Sequence, residues 1–535
     1  MSSEDNGFIW EIANKSVTRR DLLKGGAGIV GLAALGPLAA ACGSSGTSSS
    51  ASPSAASSPK SGGSLKIGIV GGSAKDTADP HSASYEPDIA IQFQLYDGLA
   101  AFDNNAKVVL HLAESLTPNA AATVWTCKLK SGLTWHDGKP VTADDVVYTF
   151  DRIMKGNLTA AGGLPGMKVG STKKVDTQTV EFHLTQPNAV LNEGLAFRGS
   201  QIVPVGFDPK NPVGCGPFKL TSFNPGQQFA FAPFANYWGG APHVSDLTII
   251  EFADDTARVN ALSSGQVQAI STLPASQVKV IGATSGLNVL NSETGAWRPF
   301  TMRIDVKPFS DNRVREAFRW IVDRQQMIEQ AYAGLGAVAN DMYARYDPGT
   351  PSLPQRTQDL AKAKSLLSAA GYGSGLTVEL VTSAGALGAD EVAAAQVFAE
   401  QAKGAGVTVN VKKTDAGVFY GNQYLSWPFA QDFWYTRNYL LQAGQATMPG
   451  APYNETHWKD PQWLAIVLKA YATVDETARN QLIGQAQTIE YNNGGYILWA
   501  WRNQVDANST KIAGLTLNKM GIPLNSFDFK DVYFV

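Results

Sequence analysis

Leu129-Lys130-Ser131-Gly132-Leu133-Thr134-Trp135-His136-Asp137-Gly138-Lys139-Pro140-Val141-Thr142-Ala143-Asp144-Asp145-Val146 joins three signals in one stretch. Trp125 to Leu129, just before it, alternates apolar and polar residues and reads as a strand. The middle is dense in turn formers and ends at Asp137-Gly138. Thr142 with Asp145 then predicts a capping box, opening a helix whose apolar face is Val146, Phe150, Ile153 and Met154. A strand turning sharply into a capped helix is a unit of an α/β chain.

Outward from this stretch the same alternation recurs. Leu65 to Val70 reads as a first strand, Ile89 to Leu99 as a helix, and Asn211 to Ile270 as short strands and turns. Asp311 is placed to cap a long helix with Val314, Ala317, Phe318, Ile321, Val322 and Ile328 on its apolar face, closed near Gly334. Leu360, Ala363, Leu366, Leu367 and Ala370 mark another helix ended by Gly371. Val378–Val381 (strand), Val392–Lys403 (helix) and Val407–Val411 (strand) follow. Strands alternating with helices of this length predict an α/β architecture with mostly parallel sheets.

Ahead of that body the chain changes character. Arg19 and Arg20 precede Gly25–Ala41, an uncharged stretch rich in Ala, Gly and Leu that meets Cys42. A charged region, a short apolar region and small residues describe an export signal, and twin arginines point to the Tat route. The stretch is too short and too glycine-rich for a stable span, which needs about 20 strongly apolar residues. Leu38-Ala39-Ala40-Ala41-Cys42 resembles a lipobox, with Ala39 where a larger aliphatic is usual. A lipid on Cys42 would hold the protein at a membrane, each buried methylene contributing about 0.8 kcal/mol. Residues 43–63, Ser-, Ala- and Pro-rich, lack the apolar surface to offset ordering entropy and read as a flexible tether.

The remaining residues, about 470 of 535, are enough for two or three domains. Four basic and four acidic residues cancel within 1–41, so the net charge of -3 belongs to the rest. That weak acidity argues against a nucleic-acid partner, which needs a basic face. Beyond Cys42 there are only Cys127 and Cys215; a disulfide and two buried thiols both fit an oxidising compartment.

Chemistry-bearing motifs are scarce. No phosphate loop, dinucleotide fingerprint or serine elbow occurs. The six histidines never fall at metal-ligand spacing, so neither a metal nor a cofactor is expected. Gly214 and Gly216 read as a tight turn because Pro217 removes a donor from any phosphate cradle. The acidic pairs Asp144-Asp145 and Asp254-Asp255 begin helices, where they complement the dipole. The balance favours binding over catalysis.

Four ordered blocks then carry a family resemblance. Leu112–Ser115 continues into the stretch quoted first. Pro212–Phe218 follows, with Cys215 in place of the usual threonine, then Asn236-Tyr237-Trp238 and Ala261–Val267. Pro308–Ala317 leads to Asp323-Arg324, and Ala361–Tyr372 completes the set. Together they resemble the peptide/nickel class of ABC-transporter solute-binding proteins, extracellular family 5. The resemblance implies a two-lobed α/β fold with a hinge, in which closure engulfs a ligand and the closed form docks on permease transmembrane subunits. It implies a signal at 1–42, the tether at 43–63, a first lobe from 64–100, 206–295 and 505–535, an inserted subdomain at 101–205, and a second lobe at 296–504.

In peptide-binding members a tryptophan is followed three residues on by an aspartate that pairs with the ligand's α-amino group. Aligned on Trp434, that place holds Arg437, similar to a subgroup with Trp-x-x-Arg and a block like Pro452–Trp458. A guanidinium suits a carboxylate or phosphate; the structural alternative is that Arg437 pairs with Asp432 and shapes the loop. Tyr85, Trp297, Asp432, Trp434, Tyr435, Tyr453 and Asn454 are the further ligand-binding candidates, in segments expected near the cleft, where apolar walls carry a few oriented polar groups. The expected protein is a monomeric, lipid-anchored, extracytoplasmic receptor for a peptide or peptide-sized, anionic solute; a membrane-tethered envelope hydrolase is the competing reading.

Overall fold

In a computed structural model, the protein is described at residue 59 and at residues 61–71, 73–83 and 85–535. The expectations for Arg19, Arg20 and Cys42, and for nearly all of the tether, lie outside the described residues. Three sheets carry the architecture. The first has seven strands in the order 287–292, 504–509, 269–270, 64–70, 246–252, 228–233, 218–224. Ser64–Val70 is its centre: Leu65, Ile67 and Ile69 are buried on one side of the pleat, as alternation predicts.

The expectation of mostly parallel sheets is corrected here. Ser64–Val70 runs parallel to both neighbours, but the other four pairings of this sheet are antiparallel. Phe218–Asn224 and Gln228–Pro233 are joined by residues 225–227 alone, far short of the dozen or so residues that a parallel crossover needs. Strand Gln504–Ser509 returns from the far end of the chain and enters between two strands laid down earlier.

The second sheet has five strands, 407–413, 376–382, 429–431, 300–302 and 496–497. Leu376–Thr382 and Val407–Lys413 pair in parallel over their full length around the crossover helix Ala389–Lys403, a βαβ unit as the sequence predicts. The antiparallel edge comes from 300–302 against 429–431 and 496–497. These two sheets are the hearts of the two lobes.

The third sheet, 113–118, 124–129, 179–183 and 172–174, is antiparallel throughout and belongs to the inserted subdomain. Helix Ala143–Gly156 lies on it, with Phe150 edge-on to Phe182 at 5.2 Å. Its capping box forms: Asp145 Oδ2 accepts from the Thr142 N–H at 2.8 Å. Cys127 and Cys215 are both buried free thiols.

Two helices differ from expectation. The long helix after Asp311 is two, Asn312–Ile321 and Arg324–Tyr332. Val322 is extended, and Asp323 caps the second helix by accepting from the Gln326 N–H at 3.0 Å. A capping aspartate in mid-pattern outweighs the continuing apolar period. The helix expected at 89–99 is Glu86–Leu95, ended where Tyr96 turns extended. Gly214 and Gly216 explain the need for glycine there: a Cβ on Gly214 would sit 1.8 Å from the Leu95 carbonyl oxygen, and one on Gly216 2.6 Å from that of Gln94. The motif is a close approach to a helix end.

Residues 293–299 carry the chain from strand 287–292 of the first sheet to strand 300–302 of the second, and residue 503 carries it from Ala500–Arg502 back to strand Gln504–Ser509 of the first. The crossings are tied together, the Arg502 N–H donating to the Ala296 carbonyl at 2.8 Å. Trp297 and Trp434 exchange backbone hydrogen bonds at 3.0 Å in each direction, so the second-lobe loop 432–437 is fastened to the hinge.

Candidate ligand-binding site

Two cavities flank that loop, and Tyr435 lines both. One, of about 510 Å³, opens between the first lobe, the inserted subdomain and the second lobe, with Phe197, Arg198, Tyr435 and Arg437 on its wall. The other, of about 580 Å³, lies against the hinge and includes Glu86, Arg298, Asp390, Phe433 and Arg502. Each volume falls in the range of ordinary small-ligand pockets.

Arg437 is half-buried. Its guanidinium carbon lies 4.8 Å from the Trp434 ring centroid and 4.9 Å from that of Phe197, sandwiched between second lobe and subdomain. The pairing with Asp432 is not what holds it. Asp432 is buried and accepts from the hydroxyls of Tyr420 at 3.1 Å and Tyr424 at 2.9 Å, and from the Phe433 N–H at 2.7 Å. Among the described residues Arg437 makes one side-chain hydrogen bond, a long one, Nη1 to the Gln442 side-chain oxygen at 3.4 Å. Burial, then the charge of Arg198, pulls its pKa down to about 9. Asp432 and Glu455 are both pushed upward by burial, Glu455 further by the charge of Asp432.

The aromatic candidates divide. Trp434 is buried beneath Arg437 and stacked on Trp297 with ring centroids 6.0 Å apart. Trp297 in turn stacks on Tyr343 at 5.6 Å, and Tyr343 on Tyr439 at 5.2 Å. Trp297 thus supports the Trp434 ring from behind and lines neither cavity. Tyr453 stands edge-on to Trp434 at 6.0 Å and is partly exposed, outside both cavity walls. Tyr85 is 74 % exposed at the start of helix Glu86–Leu95 and lines neither. Asn454 closes a turn, its oxygen accepting from the Trp458 N–H at 2.9 Å, beside a separate groove on the second lobe.

The structure adds residues that sequence patterns did not mark. Arg198 carries no motif and reaches the first cavity because helix Leu191–Ala196 ends just before it. Glu391, fully buried in the first turn of Ala389–Lys403, lies 3.9 Å from Arg298 and 3.6 Å from Arg502, one arginine from each hinge crossing. His136 is structural: its Nε2 lies 3.0 Å from the Gly216 carbonyl, and burial lowers its pKa to about 4. Among the described residues no cluster of metal-ligating side chains occurs, and no helix is long and apolar enough to cross a membrane.

Two α/β lobes joined by paired crossings, with cavities of small-ligand size beside the loop that is fastened to them, have the architecture of a solute-binding protein. Residues 107–450 match the family model of bacterial extracellular solute-binding proteins, family 5 Middle, and the chain belongs to that family. Its role is solute capture, not catalysis, and nothing supports the tethered-hydrolase reading. Among curated relatives, the glutathione-binding protein GsiB of Pectobacterium atrosepticum is 25% identical over 503 residues, 86% of this chain and 93% of that protein. That of Escherichia coli O1:K1 is 24% identical over 510 residues, 87% and 94% of the two chains. Among solved structures, AgaA of A. tumefaciens R10 in complex with agropinic acid aligns with a TM-score of 0.78 at 23% identity, covering 88% of this chain and 99% of that one. DppA of Helicobacter pylori in complex with the peptide STSA aligns at 0.76 and 20% identity, covering 89% and 98%.

Proposed function

We propose that this protein is the extracytoplasmic receptor of an ABC importer and that its ligand is a peptide-sized, anionic solute delivered to the permease after lobe closure. The observation that carries the anionic class is Arg437, a cation at the cleft with no carboxylate partner among the described residues. It stands where peptide-binding members place an acid, so Trp434–Arg437 groups the chain with Trp-x-x-Arg members. A ligand ammonium would be repelled there, whereas a carboxylate is matched by the guanidinium fork. Curated relatives named as glutathione-binding, and a structural neighbour solved with agropinic acid, are consistent with small ligands rich in carboxylates. Glutathione is therefore the first ligand to try.

Tyr435 and Trp434 belong to the same site, Tyr435 as wall and Trp434 as the ring beneath the guanidinium. Lobe boundaries at residues 296 and 504 fit the two hinge crossings. The twin arginines 19 and 20 and Cys42 support Tat export followed by lipid anchoring. Isothermal calorimetry tests the ligand reading: Arg437→Ala weakens binding of whatever small molecule co-purifies with the native protein by tenfold or more. Unchanged affinity removes Arg437 from the site.

A further inference from the structure

We propose that Arg198 of the inserted subdomain and Arg437 of the second lobe form one shared oxyanion subsite, and that the group it takes is a ligand carboxylate. This rests on the receptor reading above and deepens it, since it names a second specificity-determining residue and the chemistry it reads. Both arginines line the same cavity. Both guanidiniums approach the same ring, Phe197, at 5.6 Å for Arg198 and 4.9 Å for Arg437. Among the described residues neither is paired with a carboxylate. The acids whose charge reaches them are engaged elsewhere: Asp88 accepts from the Thr77 N–H at 2.8 Å, and Glu455 accepts from the Tyr496 hydroxyl at 2.8 Å. Asp97, on the wall of the same cavity, accepts from the hydroxyl of Tyr237 and the ring N–H of Trp238 and lies 2.6 Å from His111.

The remaining donors fit a planar acceptor. Arg198 uses Nη1 on the Ala83 carbonyl at 3.0 Å, and Arg437 uses Nη1 on Gln442 at 3.4 Å. The Nε–Nη2 edge of each fork carries no hydrogen bond, and both Nε atoms are buried without a partner. That is the edge from which arginine grips a carboxylate with two parallel bonds. Two like charges brought near one ring in a partly desolvated cavity, neither of them in an ion pair among the described residues although Asp97, Asp103 and Asp528 line the same cavity, are unfavourable alone, and burial lowers the pKa of both. An oxyanion between them reverses the balance. Because the arginines come from different parts of the fold, such a ligand ties subdomain to second lobe.

Calorimetry on the full chain with three probes decides this: reduced glutathione, its dimethyl ester and inorganic phosphate. Glutathione is expected to bind, the diester at least tenfold more weakly, and phosphate more weakly than glutathione. Arg198→Gln and Arg437→Gln each weaken glutathione by tenfold or more while leaving diester affinity as in the native chain, and Arg198→Lys restores part of the loss. Melting temperatures close to the native value confirm that the variants fold. Native-like glutathione binding by Arg198→Gln overturns the shared subsite yet leaves the receptor reading standing. Equal binding of acid and diester, tighter binding of phosphate, or no binding of glutathione overturns it as well. The receptor reading itself fails only if no small molecule co-purifies with the native protein and no peptide binds it.

Discussion

At the residue scale, burial decides what each charged side chain does here. Glu490 is the clearest case outside the cleft. It is 5 % exposed, accepts from the Tyr343 hydroxyl at 2.9 Å, also takes the Tyr439 hydroxyl, and is pushed by burial up to about 7 from an ordinary 4.5. Between those values the folded chain holds a proton that the unfolded chain has released. The contribution of this group is therefore full below pH 4.5 and lost as pH rises through about 7. Glu490→Gln removes the titration: the melting temperature of the variant should fall less between pH 5 and pH 8 than that of the native chain. Parallel curves would show that the carboxyl is already ionised at pH 5. His136 works in the opposite sense. Its value near 4 means the unfolded chain takes up a proton first, so stability is lost as pH falls from about 6.5 toward 4.

At the scale of elements, caps and close approaches set the boundaries more than apolar period does. Asp145 serves twice, its Oδ2 accepting from Thr142 at 2.8 Å and its Oδ1 from the Val205 N–H at 3.0 Å. Asp145→Ala should cost about 1–2 kcal/mol in urea denaturation, the usual range for losing a cap, at its upper end because the half-buried bond to a second backbone donor is lost as well. A loss below about 0.5 kcal/mol would mean that water replaces both bonds. The capping box was legible because both partners sit three residues apart. The break at Asp323 was not, since the apolar positions run through it unbroken, and only the helix it caps reveals that aspartate's role. In the same way the glycines at 214 and 216 read as a turn, but the reason for them is the helix end they press against.

At the scale of the whole molecule, the hinge has an electrostatic anchor. Glu391 lies between Arg298 and Arg502, near the two places where the chain crosses. It also accepts from the Tyr332 hydroxyl at 2.8 Å. Removing one partner of a buried charged cluster leaves the others uncompensated, typically at about 3–5 kcal/mol. Arg502 keeps Asp390 at 2.9 Å, which places Glu391→Gln at the lower end, about 3 kcal/mol by denaturation. The variant should also separate the unfolding of the lobes into two transitions by calorimetry; a single native-like transition would show that the backbone ties alone hold the crossings.

Local physics makes some elements legible in the residues alone: the first strand, the capped helix at 143–156, the βαβ unit around 389–403, and the family through four ordered blocks. The sequence also pointed to Arg437, because one cation stands where an acid is expected. Sheet direction required the folded chain, since pairing partners such as 64–70 and 246–252 or 269–270 and 504–509 are far apart in the sequence. Only the folded chain separated Trp297, a ring supporting the site, from Tyr435, a wall of it, because burial on one side of a loop has no signature in a single residue. And only it brought Arg198 beside Arg437: 239 positions apart in the chain, they converge through the packing of the inserted subdomain against the second lobe.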